Sequence, residues 1–306
     1  MKTRKLSILL SAMLVLSVLS GCEKAPTQQF TPLTGTYQGQ NISLQYDVIT
    51  DFSWSQDMSP IVFYNGYANF YYEAAADGDQ TSQANSAGFT CMDITGNRTI
   101  NTVYPQLSPF DEDGIAVAAK NTTSNIEDIE WVFVDAKGTE RGLATEADFE
   151  NRNDAFDRDV YNTFRKPDNL NAITKGEEFN GNTSSQNALI DTAGRIVVSF
   201  PEEFNSVTFI SENLVAAGVY PEYYYLYNTS GTRLHDTAFE KIGSFYNGLA
   251  PFLQDGKLGL LSAAGEIVIP ATYATEINPA LRWAFYEDRM VVEHEGRIAI
   301  LTITRK

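Results

Sequence analysis

Residues Phe63 to Phe70 read F-Y-N-G-Y-A-N-F, and Phe245 to Phe252 read F-Y-N-G-L-A-P-F. An octapeptide that recurs almost intact within one chain marks a repeat array, whose units cannot bury their apolar faces alone and must stack on one another. Weaker copies run from Phe110 to Val117 (F-D-E-D-G-I-A-V), Phe209 to Ala216 (F-I-S-E-N-L-V-A) and Phe285 to Val292 (F-Y-E-D-R-M-V-V), with a partial one at Asn169 to Ala172. Each is an aromatic residue, a short polar turn and a short apolar run.

A second signature lies between the copies: Asp93 to Gly96, Asp135 to Gly138, Asp191 to Gly194, Asn228 to Gly231 and Ser262 to Gly265. Asp, Asn or Ser at the first position can accept backbone hydrogen bonds, and Gly three residues on supplies the positive φ that closes a tight hairpin. Two apolar residues precede every turn, as in Cys91-Met92 and Leu260-Leu261, and runs such as Arg195 to Val198 and Glu266 to Pro270 follow as returning strands. The unit is therefore a small antiparallel meander. Gly194 and Gly265 are expected at positive φ, whereas Gly88, at the end of a polar stretch from Asp77, is expected to tolerate Ala. The widest interval lies between Gly138 and Gly194 and implies an insertion. Its polar run, Asn151 to Asp159 with Asp154, Asp157 and Asp159, lacks the D-x-D-x-D-G spacing of a calcium loop and reads as a solvated acidic loop.

The pattern resembles the WG-containing repeat family. The copy from Ser244 to Tyr273 carries the resemblance best, with Phe245, Gly248-Leu249-Ala250, Gly256 to Gly259, Gly265, Val268-Ile269-Pro270 and Tyr273; Leu258 stands at the name-giving Trp position, and Trp131 is followed by Val132. The resemblance covers residues 60 to 306. It implies an all-β repeat scaffold and no shared catalytic residue.

The last copy, Glu295 to Leu301, matches Asp255 to Leu261 but stops before a turn glycine, while the first copy lacks a clear turn before it. A unit split between the two ends is how a ring of repeats latches without leaving unpaired edges. The fold class read here is all-β, tandem β-meander repeats in a propeller-like ring of about six units, with an open β-solenoid as the alternative. In the ring, Arg297 to Leu301 pairs with a strand from residues 40 to 70.

At the other end of the chain, Lys2, Arg4 and Lys5 precede an apolar run, Leu6 to Leu19, and then Leu19-Ser20-Gly21-Cys22. This resembles a bacterial lipoprotein signal peptide, too short for a stable membrane span. The resemblance implies cleavage after residue 21 and a lipid anchor on the Cys22 thiol, since two or more acyl chains hold a protein durably to a bilayer. The organisation read from the sequence is residues 1–21 as leader, 22–39 as a flexible tether and 40–306 as the repeat domain. The expected location is the cell envelope, with the outer membrane as the destination, because Glu23 is not the Asp that marks inner-membrane retention in the pattern this leader resembles.

A formal net charge of −17, which becomes more negative once Lys2, Arg4 and Lys5 are removed, excludes a nucleic-acid partner, whose phosphates would be repelled. With Cys22 lipidated, Cys91 is left without a disulfide partner and reads as a buried apolar residue. The two histidines, His235 and His294, lack metal-ligand spacing, so neither a metal nor a cofactor is expected. No G-x-S-x-G elbow, H-E-x-x-H pair or phosphate loop is present. The expected function is that of a membrane-anchored, non-catalytic scaffold binding an envelope protein or a glycan; the alternative is a carbohydrate-active hydrolase using a carboxylate pair. Tyr223, Tyr225 and Tyr227, which alternation places on one strand face, are the candidate ligand-binding row, and Tyr64, Tyr67, Tyr71 and Tyr72 share the same aromatic character.

Overall fold

The computed structural model describes residues 32–53, 61–73, 87–121, 128–161, 166–274 and 285–306. The leader, Cys22 and the tether up to residue 31 lie outside the described residues. Among the described residues no helix is long and apolar enough to cross a membrane.

The chain opens with β1 (Leu33–Tyr37) and β2 (Gln40–Ser53), which are set aside until its end. The first sheet is β3 (Phe63–Tyr64), β4 (Tyr67–Glu73) and β5 (Ala87–Asp93); the second is β6 (Gln106–Leu107), β7 (Ile115–Ala119), β8 (Trp131–Asp135) and β9 (Glu140–Leu143). Helix α1 (Glu146–Tyr161) follows. In the third sheet, β10 (Leu170–Ile173) pairs with β13 (Ala188–Asp191) and β13 with β14 (Ile196–Ser199), while β11 (Glu178–Phe179) and β12 (Asn182–Thr183) form an inserted hairpin. The fourth sheet is β15 (Ser206–Phe209), β16 (Leu214–Val219) and β17 (Tyr223–Asn228). The fifth is β18 (Lys241–Ile242), β19 (Leu249–Gln254), β20 (Lys257–Ser262) and β21 (Ile267–Ala274). The sixth joins the two ends of the domain in the order β1-β2-β23-β22, with β22 (Arg289–His294) and β23 (Arg297–Arg305) from the C-terminal side.

The register of that last sheet runs from Ile42 opposite Arg305 to Ser53 opposite Arg297. Pairing of β2 with β23 latches the array into a propeller-like ring and removes the solenoid alternative, because a solenoid leaves its first and last strands apart. Neighbouring sheets share their cores, except the second and third: there the second packs on Phe149 of α1 and the third on Phe179 of the inserted hairpin. Ile298 and Ile300 of β23 pack with Phe63, Phe70 and Met92 of the first sheet, while Ala299, Leu301 and Ile303 pack with Leu249, Leu258 and Ile269 of the fifth. Likewise Val215 and Ala217 of β16 face the third sheet, and Leu214 and Ala216 face the fifth. A strand sandwiched between two sheets is apolar on both faces, so its period-2 signal is not polar against apolar but one neighbour against the other.

The turn signature behaves as its chemistry dictates. Gly96, Gly138, Gly194, Gly231 and Gly265 all have φ between 75° and 85°, and each donates its N–H to the carbonyl of the first turn residue at 2.8–3.0 Å. Asp93, Asp135, Asp191 and Asn228 each accept two further turn amides on Oδ1 at 2.9–3.2 Å. Ser262 Oγ does the same for Ala264 and Glu266. The F-Y-N-G copies are two-residue hairpins with both central residues at positive φ: Asn65 and Gly66, Asn247 and Gly248, Glu287 and Asp288.

Three expectations are corrected. The tether is shorter than residues 22–39, since Leu33 and Tyr37 of β1 pack on the core between the fifth and sixth sheets; only Gly fits at position 35, where a Cβ would collide with the Val268 carbonyl. The run Asn151 to Asp159 is not a loop but the middle of α1. Thr145 caps that helix, its Oγ1 accepting the Asp148 N–H at 3.2 Å while the Asp148 carboxylate accepts the Thr145 N–H at 2.9 Å, a reciprocal box that satisfies two orphan donors. Glu146 and Asp148 in the first turn and Arg158 in the last complement the helix dipole. Gly88, finally, belongs to β5, where a Cβ would sit 2.7 Å from the Tyr104 carbonyl oxygen, so Ala is not tolerated there.

Candidate functional site

The second residue of the F-Y-N-G copy is Tyr64 in the first sheet, Tyr246 in the fifth and Tyr286 in the sixth. Because those three sheets are consecutive around the ring, one repeat position brings three phenols together. Ring centroids are 4.7 Å apart for Tyr246 and Tyr286 and 5.8 Å for Tyr286 and Tyr64. All three side chains are half-buried. In the second and fourth sheets the same position is Asp111 and Ile210, so the aromatic patch is confined to one arc.

Helix α1 docks at the end of that arc. Its Phe156 meets Tyr64 edge-on at 5.4 Å, and Val160, the buried residue of the helix, packs with Val62. Trp131 and Phe149 hold the helix to the second sheet at 4.8 Å. The Tyr64 hydroxyl donates to Asp159 Oδ2 at 2.7 Å. Burial and this bond push the Tyr64 phenol well above its ordinary pKa, and burial with the nearby Asp159 charge raises Tyr286 as well. Both phenols stay protonated at neutral pH and act as hydrogen-bond donors and ring surfaces, not as nucleophiles.

A polar belt ties the turns beneath the rings. Arg305 pairs with Asp288 at 2.7 Å and reaches the Asn247 carbonyl at 3.4 Å, joining the sixth and fifth sheets. The Glu287 carboxylate accepts the Asn65 and Gly66 amides at 2.6 and 3.0 Å, joining the sixth to the first. Asn65 Nδ2 donates to the Phe110 carbonyl at 2.8 Å, and Asp111 pairs with Arg152 of α1 at 2.8 Å. Every carboxylate of this belt is thus engaged in holding a backbone turn or a guanidinium. What the belt offers a ligand is rigidity: the rings are set in place before contact, so little ordering entropy is lost on binding.

Tyr223, Tyr225 and Tyr227 do share one face, and Tyr224 takes the other. That shared face is a packing surface between the third and fourth sheets rather than an exposed row. Tyr227 is buried against Phe200 at 5.0 Å, Tyr225 stacks on Phe204 at 6.2 Å, and the Arg233 guanidinium covers Tyr225 at 3.6 Å. Of the other tyrosines, Tyr67 packs on Phe110 and Tyr72 lies under Arg98. The convergence of Tyr64, Tyr246 and Tyr286 escaped the sequence reading, although its signal was on view: the same letter after Phe in three copies of one repeat.

Cys91 is buried, its Sγ 2.9 Å from Thr99 Oγ1, and burial pushes its thiol up to about 11. A ring nitrogen of His235 bonds to the Gly265 carbonyl, and His294 lies 5.1 Å from Tyr46. Among the described residues no group of three His, Cys, Asp or Glu side chains is arranged to hold a metal ion.

The WG containing repeat family matches residues 234–257, which overlap the best copy read from the sequence. No curated protein sequence matches the chain. Among solved structures the chain is similar to BamB from Moraxella catarrhalis, at 14% identity and a TM-score of 0.25, covering 89% of this chain and 82% of that one. It is also similar to the C-terminal WD40 domain of Sif2, at 12% identity and a TM-score of 0.26, covering 81% and 68%. Superposition this loose adds nothing to the architecture, which stands on the strand pairing described above.

Proposed function

We propose that the chain is an envelope lipoprotein, anchored through Cys22 to the outer membrane, whose repeat ring is a non-catalytic scaffold that binds a protein or glycan on the face carrying Tyr64, Tyr246 and Tyr286. The observation that carries this reading is the convergence of the same repeat position from three consecutive sheets into one half-exposed aromatic patch on a rigid polar belt. Partly exposed aromatic rings with hydroxyl tips stack on sugar faces or anchor protein partners. The saturation of the neighbouring carboxylates by structural partners supports binding without catalysis, since a general base must be free to take a proton. The leader supports the anchor.

The test uses the mature lipoprotein. Replacing Tyr246 and Tyr286 with Ala is expected to abolish a saturable ligand found by glycan array or envelope pull-down while leaving membrane attachment intact. Cys22→Ser is expected to abolish fatty-acid labelling and release the protein from the membrane fraction. Turnover of a glycan, lost on single Asp or Glu substitution, would replace the scaffold with a hydrolase. Ligand binding that survives the double Tyr variant would move the site elsewhere.

A further inference from the structure

The outer edges of the ring are not alike. In the second sheet the outermost strand, β9, carries Glu140 and Arg141, the charges with which a sheet edge is ordinarily blunted. The outer strands of the fifth and sixth sheets, β21 and β1, lie against each other, with Gly35 admitting the Val268 carbonyl. The third sheet ends differently. Its outermost strand, β14, reads Ile196-Val197-Val198-Ser199 with no charge, and Ile196 and Val197 are 51% and 54% exposed. As the terminal strand of its sheet it pairs, among the described residues, only with β13, with a bulge that leaves Val197 between the Leu189–Val198 and Ile190–Ile196 pairs, so the N–H and C=O groups turned away from β13 face outward as a short template for another strand.

We propose that β14 is a strand-addition site for an extended segment of a basic partner protein. Main-chain hydrogen bonds to such an edge supply affinity, and alternate side chains supply selectivity. Ile196 and Val197 call for β-branched or aliphatic neighbours on the added strand. The charge of the partner follows from the surroundings. Exposed Glu202 and Glu203 follow the strand directly, Arg195 at its start is already paired with Asp191 at 2.7 Å, and the chain carries a formal charge of −17. An acidic segment would be repelled, while Lys or Arg flanking the apolar core of the added strand would be attracted. A second copy of this chain is the poorer occupant, because it brings the same acids to the same edge. The site is separate from the tyrosine face and does not depend on it.

Fluorescence anisotropy with the labelled peptide KKVTVTVKK tests the proposal on the full mature protein at physiological salt. Saturable binding is expected, with hydrogen-exchange protection confined to the amides of β14. EEVTVTVEE and a KKVTVTVKK analogue N-methylated at alternate residues should each bind at least tenfold more weakly, the first for charge and the second for lost main-chain donors. Ile196→Asn with Val197→Asn leaves the charge unchanged and touches only exposed side chains; it should weaken binding at least tenfold with an unaltered melting temperature. The Tyr246→Ala and Tyr286→Ala variant should bind the peptide as the parent does. Equal binding by the N-methylated peptide, parental binding by the Asn pair, or absence of saturable binding would overturn the proposal. So would a parent dimer that the Asn pair renders monomeric, since that outcome places a second copy on the edge.

Discussion

The third and fifth sheets carry the same turn, Asp191 to Gly194 in one and Ser262 to Gly265 in the other, yet they are built to different degrees of completeness. In the fifth, four strands follow one another with tight connections, and both faces are buried against neighbours. In the third, β10 leads into an inserted hairpin before β13, the sheet has three strands, and α1 precedes it. The difference teaches that the turn signature specifies a hairpin and nothing more. Whether the hairpin becomes a full sheet depends on the flanking strands, and an insertion is tolerated wherever another element takes over the packing. Here the inserted hairpin does so for the third sheet, with Phe179 on Ile173, Ala188 and Ile190, while α1 covers the second sheet through Phe149 on Trp131 and the first through Val160 on Val62.

The comparison breaks most visibly at the latch. Removing residues 296–306 deletes β23, which contributes to the cores on both sides of the sixth sheet; the truncated protein is expected to lose its cooperative melt entirely. Replacing α1 by a Gly-Ser linker between residues 144 and 166 is expected to lower the melting temperature while leaving a single cooperative transition. A truncated protein that melts like the parent, by differential scanning calorimetry, would show that β23 does not latch the ring.

Next come the glycines. Ala at either Gly265 or Gly194 must take a left-handed backbone, at about 1–2 kcal/mol. At Gly265 the new Cβ also lies 2.6 Å from Leu234 Cδ1 and 3.0 Å from Leu214 Cδ2, whereas at Gly194 its nearest neighbour is Phe179 at 3.7 Å. Overpacking adds about 1–3 kcal/mol. Gly265→Ala is therefore expected to be the more destabilising of the two in urea titrations, and Gly88→Ala, which meets the Tyr104 carbonyl, to match or exceed Gly194→Ala. Equal effects at positions 194 and 265 would mean that Leu214 and Leu234, on the fourth-sheet side, relax around the added methyl.

A smaller effect is expected at the helix cap. Thr145→Ala removes one half of the box with Asp148 and should cost about 1 kcal/mol. Hydrogen exchange should report the loss in the first turn of α1 and leave the fifth sheet unchanged.

The same contrast explains what was legible in the sequence. In the fifth sheet the signals are local and complete: a turn whose first side chain binds its own backbone, a Gly at positive φ, and apolar runs; the sixth lacks that turn, and its unit split between the two ends of the domain points to the latch. From these the antiparallel meander and the latch follow. In the third sheet the pattern ran out. Helix α1 has an apolar periodicity too sparse to read, with Val160 as its buried residue, and the one mark of its start, the Thr145 to Asp148 box, is too short a signal to outweigh the acids behind it. The tyrosine face required knowing which sheets are neighbours around the ring, and no local window contains that. Tyr223, Tyr225 and Tyr227 were placed on the correct face, but the identity of what covers that face is likewise non-local.

The last and smallest test is acid and base. In the second and third sheets the turn acceptor is a carboxylate. At Asp135 burial opposes ionisation, but the Thr139 and Lys137 amides and Arg141 outweigh it; at Asp191 the Arg195 amide and guanidinium and the Ala193 amide prevail over burial. Both pKa values lie below the usual range. A depressed carboxylate contributes stability that is fully present above its unfolded pKa, about 3.9, and is lost as pH falls through the folded value. Asn228 and Ser262 in the fourth and fifth sheets accept the same amides without titrating there. The fifth sheet has its own slope at the other end of the scale, since burial holds the Lys241 ammonium down to about 8. A Lys whose folded pKa is depressed contributes stability that rises as pH climbs from about 8 toward the ordinary lysine value near 10.4, while the buried Cys91 thiol, raised to about 11, withdraws stability as pH climbs from about 8.5 toward that value, so the two offset each other. Hydrogen exchange across pH 3 to 5 should therefore loosen the turns at Gly138 and Gly194 before those at Gly231 and Gly265, and Asp135→Asn with Asp191→Asn should flatten that order. Lys241→Gln should leave the Cys91 loss unopposed, so that stability falls as pH rises above about 8.5. Acid loosening that is uniform over all four turns would show that these carboxylates do not set the difference between the sheets.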